Sequence, residues 1–261
     1  MSLPADYHMH TPLCRHATGE PTELAAQAVR IGLQEIGFSE HNPMIRDDWD
    51  DWHMLQGDLD QYVEKVCQAR RDHPQLTIKL AMEVDFIPGK NEDIQASIQG
   101  HDWDFLIGSV HEIDGLLLES KWNISRETGQ ALWLRYFGLL GEVVSSGYFS
   151  LVSHPVRMCV GNPHLPPNFD EELERLAAEA TRCDVALELN GYDVLTYPSL
   201  VRKLAKACAL QRTPVSIGSD AHRPGEVAQA HDPTKEIMRE AGLSRIRTWK
   251  QRVPEEYSIY Q

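Results

Sequence analysis

The sequence has no run of apolar residues long enough to cross a bilayer as a helix. Its opening residues lack the charged-then-apolar pattern of a secretory leader. Cysteine is scarce: five residues, at 14, 67, 159, 183 and 208, form no close pairs. An odd count without a leader predicts reduced thiols and a cytoplasmic location. The chance glycosylation triplet at Asn123 then has no role. Basic charge is also short, with 25 Lys and Arg against 39 Asp and Glu and a net charge of -14. That balance argues against a nucleic-acid surface, whose footprint is a basic stripe. It is equally wrong for an anionic substrate, unless bound metal ions reverse the sign locally. No repeat, linker or low-complexity tract interrupts the chain, so a single domain spanning residues 1–261 is expected.

Apolar, β-rich runs alternate with helical patterns from end to end. Strands are predicted at 3–7, 35–38, 77–82, 105–110, 151–153, 186–189 and 215–218. Helices are predicted at 21–31, 59–71, 129–145, 170–183, 199–210 and 226–241. The first has proline at its start and Gly32 at its end, the usual asymmetry. Such alternation implies parallel pairing through helical crossovers, and roughly seven units fit, one short of the standard barrel. The least regular segments are 42–57 and 113–128. Each follows a strand that ends on histidine, so each is expected to wall the site.

Histidine is what the chain has in quantity, and its placement is uneven. His8 and His10 follow the first strand, and alternation puts both on one face. His16 lies in the next loop, and His41 follows the second strand. Glu83 ends the third, His111 follows the fourth and His154 the fifth. Asp220 and His222 follow the seventh, in Gly218-Ser-Asp-Ala-His222. In a parallel barrel the C-terminal strand ends meet at one face. Seven histidines and two carboxylates would converge there. Nitrogen and oxygen ligands without thiolate suit zinc, iron or manganese.

These motifs resemble the PHP superfamily, named for polymerase and histidinol phosphatase. The carrying segments are Tyr7-His-Met-His-Thr-Pro-Leu-Cys-Arg-His16, Gly37-Phe-Ser-Glu-His41, Trp52-His-Met-Leu and Tyr197-Pro-Ser199. Glu83-Val-Asp-Phe-Ile-Pro-Gly89 and Ile107-Gly-Ser-Val-His111 are similar to the monofunctional histidinol-phosphatases of that superfamily. The resemblance spans nearly the whole chain. It implies a distorted (β/α)7 TIM-like barrel with a trinuclear metal centre. One metal would be held by His8, His10, Glu83 and Asp220. A second would share Glu83 and add His111 and His154. The third would take His16, His41 and His222. Two stretches differ from the family pattern, His154-Pro-Val156 and Glu188-Leu-Asn-Gly-Tyr-Asp193, and neither removes a ligand named above.

The implied activity is metal-dependent hydrolysis of a small phosphomonoester: L-histidinol phosphate to L-histidinol and phosphate, in histidine biosynthesis. A hydroxide bridging metals held by Glu83 and Asp220 would attack phosphorus. Two other readings stay open: an enzyme for a different small phosphate ester, and a non-catalytic metal-binding module. Arg157 is the candidate phosphate clamp, because guanidinium matches phosphate bidentately. A metal-bound water or Asp85 could protonate the leaving alkoxide. His53 is a candidate substrate contact, whereas His73, His101, His164 and His231 read mostly as surface residues. Trp49, Trp52, Phe86 and Tyr192 could face an imidazole ring or fill a core. Cys14, between ligand positions, reads as incidental. Oligomeric state has no signature in the sequence.

Overall fold

A computed structural model describes residues 3–45 and 51–259. The chain begins with β1 (Ala5–Asp6), α1 (Pro21–Ile31), β2 (Glu35–His41), α2 (Leu59–Asp72), β3 (Thr77–Asp85), α3 (Asn91–Ser97) and β4 (Phe105–Ser109). A small hairpin of β5 (Glu112–Ile113) and β6 (Leu116–Leu117) precedes α4 (Arg126–Ser145) and β7 (Leu151–Val152). Then come α5 (Phe169–Cys183), β8 (Ala186–Asn190), α6 (Gly191–Thr196), α7 (Pro198–Gln211) and β9 (Val215–Gly218). The chain finishes with α8 (His231–Ala241), β10 (Arg245–Lys250) and β11 (Val253–Ser258).

Seven strands pair in parallel in the order β1-β2-β3-β4-β7-β8-β9. β2, β4, β8 and β9 are buried along their full length, as strands covered on both faces must be. The two ends of the sheet meet. Tyr7 N donates to Ile217 O (3.1 Å), Asp220 N to His8 O (2.8 Å) and His10 N to Ala221 O (2.9 Å). The sheet is therefore a seven-stranded α/β barrel, as the sequence predicted. Closure places the first and last ligand-bearing segments side by side.

Local chemistry starts and stops the helices. At α1, Glu20 and Glu23 form a capping box, Pro21 opens the first turn, and Gly32 ends it at φ +84°. α5 opens on Asp170, Glu171 and Glu172, acids that the helix dipole favours there. Some bounds differ from the sequence reading. α4 begins at Arg126 rather than 129, because Ser125 caps it by accepting from Thr128 N. α8 begins at His231, with a short 3-10 turn, Pro224–Glu226, ahead of it.

The β10–β11 hairpin, absent from the sequence reading, seals the N-terminal end of the barrel. Trp249 is buried edge-on to Tyr7 and 5.1 Å from the Phe105 ring. Beneath it, Tyr7 and Thr248 both donate to Glu35, and Lys79 sits 3.4 Å from the same carboxylate. A plugged lower end leaves the C-terminal face for the site.

Candidate metal centre

Glu83 is the hub of that face. It lies two residues before the end of β3, in register with His41 on β2. Its Oε2 lies 3.0 Å from His41 Nδ1, 3.2 Å from His8 Nε2 and 3.6 Å from His10 Nε2. Its Oε1 lies 3.1 Å from His154 Nε2 and 3.5 Å from His111 Nε2, and accepts from Ser109 Oγ at 2.6 Å. Asp220 Oδ1 completes the floor, 3.2 Å from His10 Nε2 and 3.7 Å from His8 Nε2. His16 and His222 stand at the outer edge, ring centroids 4.6 Å apart, with His222 4.2 Å from His10. The structure thus brings all nine predicted ligand positions to one mouth.

Whether the set suits metal ions is decided by its unpaired atoms. His8 Nε2, His10 Nε2, His41 Nδ1 and Glu83 Oε2 are buried, converge on one another, and make no hydrogen bond. Leaving four such atoms unsatisfied in a dry interior costs about 1–3 kcal/mol each. Divalent cations bound among them would satisfy these atoms, since each offers a lone pair. Ligand atoms of His8, His10 and Asp220 lie within 4.8 Å of one another, as do those of His41, Glu83 and His111, and of His10, His41 and His222. Cys14 Sγ falls within the same limit of His16 and His222. It is buried, contacts Thr11 O at 3.1 Å, and its thiol is pushed up by burial, then by Glu40.

Behind the imidazoles stands a row of carboxylates. Glu188 Oε1 holds His8 Nδ1 at 2.8 Å, and its other oxygen accepts from His154 N (2.9 Å) and Asn190 Nδ2 (3.0 Å). Glu40 faces His10 Nδ1 at 3.3 Å and also accepts from the Thr11 and His41 amides. Asp85 holds His111 Nδ1 at 2.5 Å. A carboxylate on the far nitrogen fixes tautomer and ring orientation and raises ligand basicity. Sequence reasoning gave Glu40 and Glu188 no role. The available signal was an acid inside an otherwise apolar strand.

The electrostatics follow from burial set against this crowding. Burial alone would raise the Glu83 carboxyl, but the His8, His111 and His41 rings bring it well below its usual range. Asp220 is likewise lowered against burial, by His8 and then Arg157. Burial opposes protonation of His10, yet the neighbouring Asp220 and Glu40 carboxylates lift it to about 9. His222 falls to about 4 through burial and the neighbouring His10. His154 and Asp220 sit at φ +31° and +59°, in the left-handed region that non-glycine residues enter at a cost. Gly218 makes room, because a Cβ there would lie 2.2 Å from His8 Cβ.

Four expectations change. Arg157 is buried and already engaged: Nε donates to Asp193 (2.7 Å), Nη1 to Glu119 (2.6 Å), and Nη2 to Asn190 (2.9 Å) and Asp220 (2.8 Å). It anchors Asp220 rather than offering an open fork to phosphate. His53 is buried with Nε2 3.3 Å from Asp85, behind the cavity rather than on its wall. Asp85, between His111 and His53, is held well below its usual range against burial, which suits an orienting carboxylate and not a proton donor. His231 is also buried, not a surface residue.

The mouth opens into a cavity of about 210 Å³ floored by His16, His41, His111, Asp220 and His222. Trp52, Leu117, Glu119 and Arg157 wall it. The Trp52 ring stands edge-on to His41 and His111 at 5.2 and 5.1 Å. Tyr192 lies under the Arg157 guanidinium, and Phe86 belongs to the core. Trp49 lies outside the described residues. A larger groove of about 480 Å³ between α4 and α5 is lined by residues such as Leu134 and Phe137 and holds no histidine.

The comparisons with known proteins agree with this geometry. A family model described as the PHP domain matches residues 6–191. A protein of Deinococcus radiodurans named probable histidinol-phosphatase is 33% identical over 247 residues, covering 89% of this chain and 92% of its own. The histidinol-phosphatase of Bacillus subtilis is 24% identical, covering 87% and 96%. Among solved structures, a histidinol phosphate phosphatase from Lactococcus lactis, complexed with zinc, L-histidinol and phosphate, superposes with a TM-score of 0.83. It covers 97% of this chain and 98% of its own at 18% identity, which shows a shared fold. A buried set of seven histidines and two carboxylates at the mouth of such a barrel, with a family model matching most of the chain, leads to one conclusion: the chain belongs to the PHP domain family.

Proposed function

We propose that this protein is a metal-dependent phosphomonoesterase that hydrolyses L-histidinol phosphate to L-histidinol and phosphate. The observation that carries the reading is the convergence of lone pairs around Glu83, next to a small cavity lined by His16, His41, His111, Asp220 and His222. The substrate follows from the relatives, named histidinol-phosphatase over nearly their full lengths. In this reading His8, His10, Glu83 and Asp220 hold one divalent ion, His111 and His154 join Glu83 for a second, and His16, His41 and His222 take a third. Zinc, iron and manganese all suit these ligands.

Such ions supply Lewis acidity toward the phosphate oxygens and the attacking water, where phosphate-ester hydrolysis most needs help. The protein's own residues hold that site rigid and correctly charged. Glu188, Glu40 and Asp85 keep the far nitrogens of His8, His10 and His111 as donors, so the near nitrogens stay free to ligate. Arg157 clamps Asp220 Oδ2, leaving Oδ1 aimed at His8 and His10. Trp52 and Leu117 give the leaving alcohol an apolar wall and narrow the route for bulk water. The negative surface serves solubility, and the enzyme works in the cytoplasm on a small molecule. No helix among the described residues is long and apolar enough to cross a membrane.

The test is phosphate release from a panel of small phosphomonoesters, histidinol phosphate included, by metal-analysed protein. Histidinol phosphate is expected to be turned over best. Equal or better turnover of an unrelated ester would overturn the named substrate and leave the reaction class standing.

A further inference from the structure

Glu119 stands where a phosphatase acting only on phosphate would not place an acid. It lies just past β6 and lines the cavity whose floor is the ligand cluster. A carboxylate beside a phosphate site repels the substrate's own charge, unless the substrate brings a cation to meet it. In the free protein Glu119 accepts from Arg157 Nη1 at 2.6 Å. That arm is the dispensable one. Arg157 is held independently by Asp193, Asn190 and Asp220, with its side chain 4% exposed, while Glu119 is 62% exposed. Losing Glu119 would leave the guanidinium in place and release one N–H toward the cavity.

We infer that Glu119 is a specificity-determining residue that exchanges Arg157 for the ammonium group of an amino-alcohol phosphate. The inference rests on the proposed activity and deepens it. The Arg157–Glu119 pair mirrors, in the free protein, the charges of a substrate that is anionic at its phosphate and cationic at the adjacent carbon. L-Histidinol phosphate has that layout, with an ammonium on the carbon next to the one bearing the ester. Binding replaces one ion pair by two: ammonium with Glu119, and a phosphate oxygen with the freed Arg157 Nη1. An ester without the amine must either leave the Arg157–Glu119 pair intact and forgo the Nη1 contact, or break the pair and bind beside an uncompensated carboxylate. Glu119 therefore selects by repulsion as well as attraction.

The experiment compares L-histidinol phosphate with its des-amino analogue, 3-(imidazol-4-yl)propyl phosphate, on wild type and Glu119→Gln. Wild type should prefer the amine-bearing ester in kcat/KM by on the order of tenfold or more. Glu119→Gln should lose most of that preference, falling on the amine-bearing ester and holding or rising on the analogue. Calorimetry with L-histidinol, which involves no turnover, should show the same weakening for the variant. An equal fall on both esters would make Glu119 merely structural, and an unchanged preference would remove it from recognition; either overturns the inference and leaves the phosphatase reading intact. Turnover of a generic aryl phosphate by wild type, with neither imidazole ester hydrolysed, would overturn the substrate reading and the inference together.

Discussion

Replacing Glu188 by glutamine keeps the side-chain shape and removes one charge and one acceptor. The carboxylate is fully buried and takes three donors: the His8 ring, the His154 amide and the Asn190 side chain. A glutamine has a single oxygen, so whichever way it turns, a buried donor meets an NH₂ group. Leaving one such donor unsatisfied costs about 1–3 kcal/mol. The cost falls on two groups that bear directly on the centre, the tautomer of His8 and the positive-φ backbone of His154. Losing such an orienting partner lowers metal affinity typically about 10–100-fold, or roughly 1.4–2.8 kcal/mol. The assay is competition for zinc against a chelator of known affinity, with circular dichroism to confirm that the variant is folded. Wild-type zinc affinity in a folded Glu188→Gln protein would refute the argument that these carboxylates set the ligands.

Other consequences are open to measurement. His10 and His111 are both lifted to about 9 in the metal-free protein, against burial: His10 by Asp220 and Glu40, His111 by Asp85 and Glu83. Below that value each binding ring must first lose a proton, so zinc affinity should climb with pH up to about 9, roughly tenfold per pH unit for each proton displaced. Calorimetry in buffers of different ionisation enthalpy would count the protons, and a pH-independent affinity would contradict the argument. Gly218→Ala puts a methyl 2.2 Å from His8 Cβ and 2.5 Å from Glu188 Oε1, so β9 must shift; overpacking of this kind costs about 1–3 kcal/mol and should appear as a lower denaturation midpoint together with weaker zinc binding. His10→Ala should abolish phosphate release while far-ultraviolet dichroism is unchanged, and an active variant would remove His10 from the ligand set.

The barrel was legible because its strands are short apolar runs, each ending on a residue whose chemistry is out of place in a core. His8, His41, Glu83, His111 and His154 could be read one strand at a time, since a metal ligand is recognised by type and by position at a strand end. The C-terminal hairpin was not legible, because β10 and β11 carry charged residues and little apolar surface beyond Ile246 and Trp249. α3 and α6 are too short for a helical period to emerge, with Ile94 the lone buried residue of α3. The partners of Arg157 were hidden for another reason. Asp193 and Glu119 lie 36 and 38 residues away, on opposite sides in sequence, and only barrel closure brings them to one guanidinium. Before the fold was known, an arginine near a phosphate site read as a clamp. In the free protein its donors are taken by Asp193, Glu119, Asn190 and Asp220.

The central claim is that the residues around Glu83 hold divalent ions for hydrolysis of histidinol phosphate. Its most direct test is phosphate release from L-histidinol phosphate by exhaustively chelated protein, followed through stepwise return of zinc or manganese. The account predicts no turnover without metal and activity that rises with bound metal to a plateau near three ions per chain. Full turnover by the stripped protein, or none at any metal loading, would contradict it.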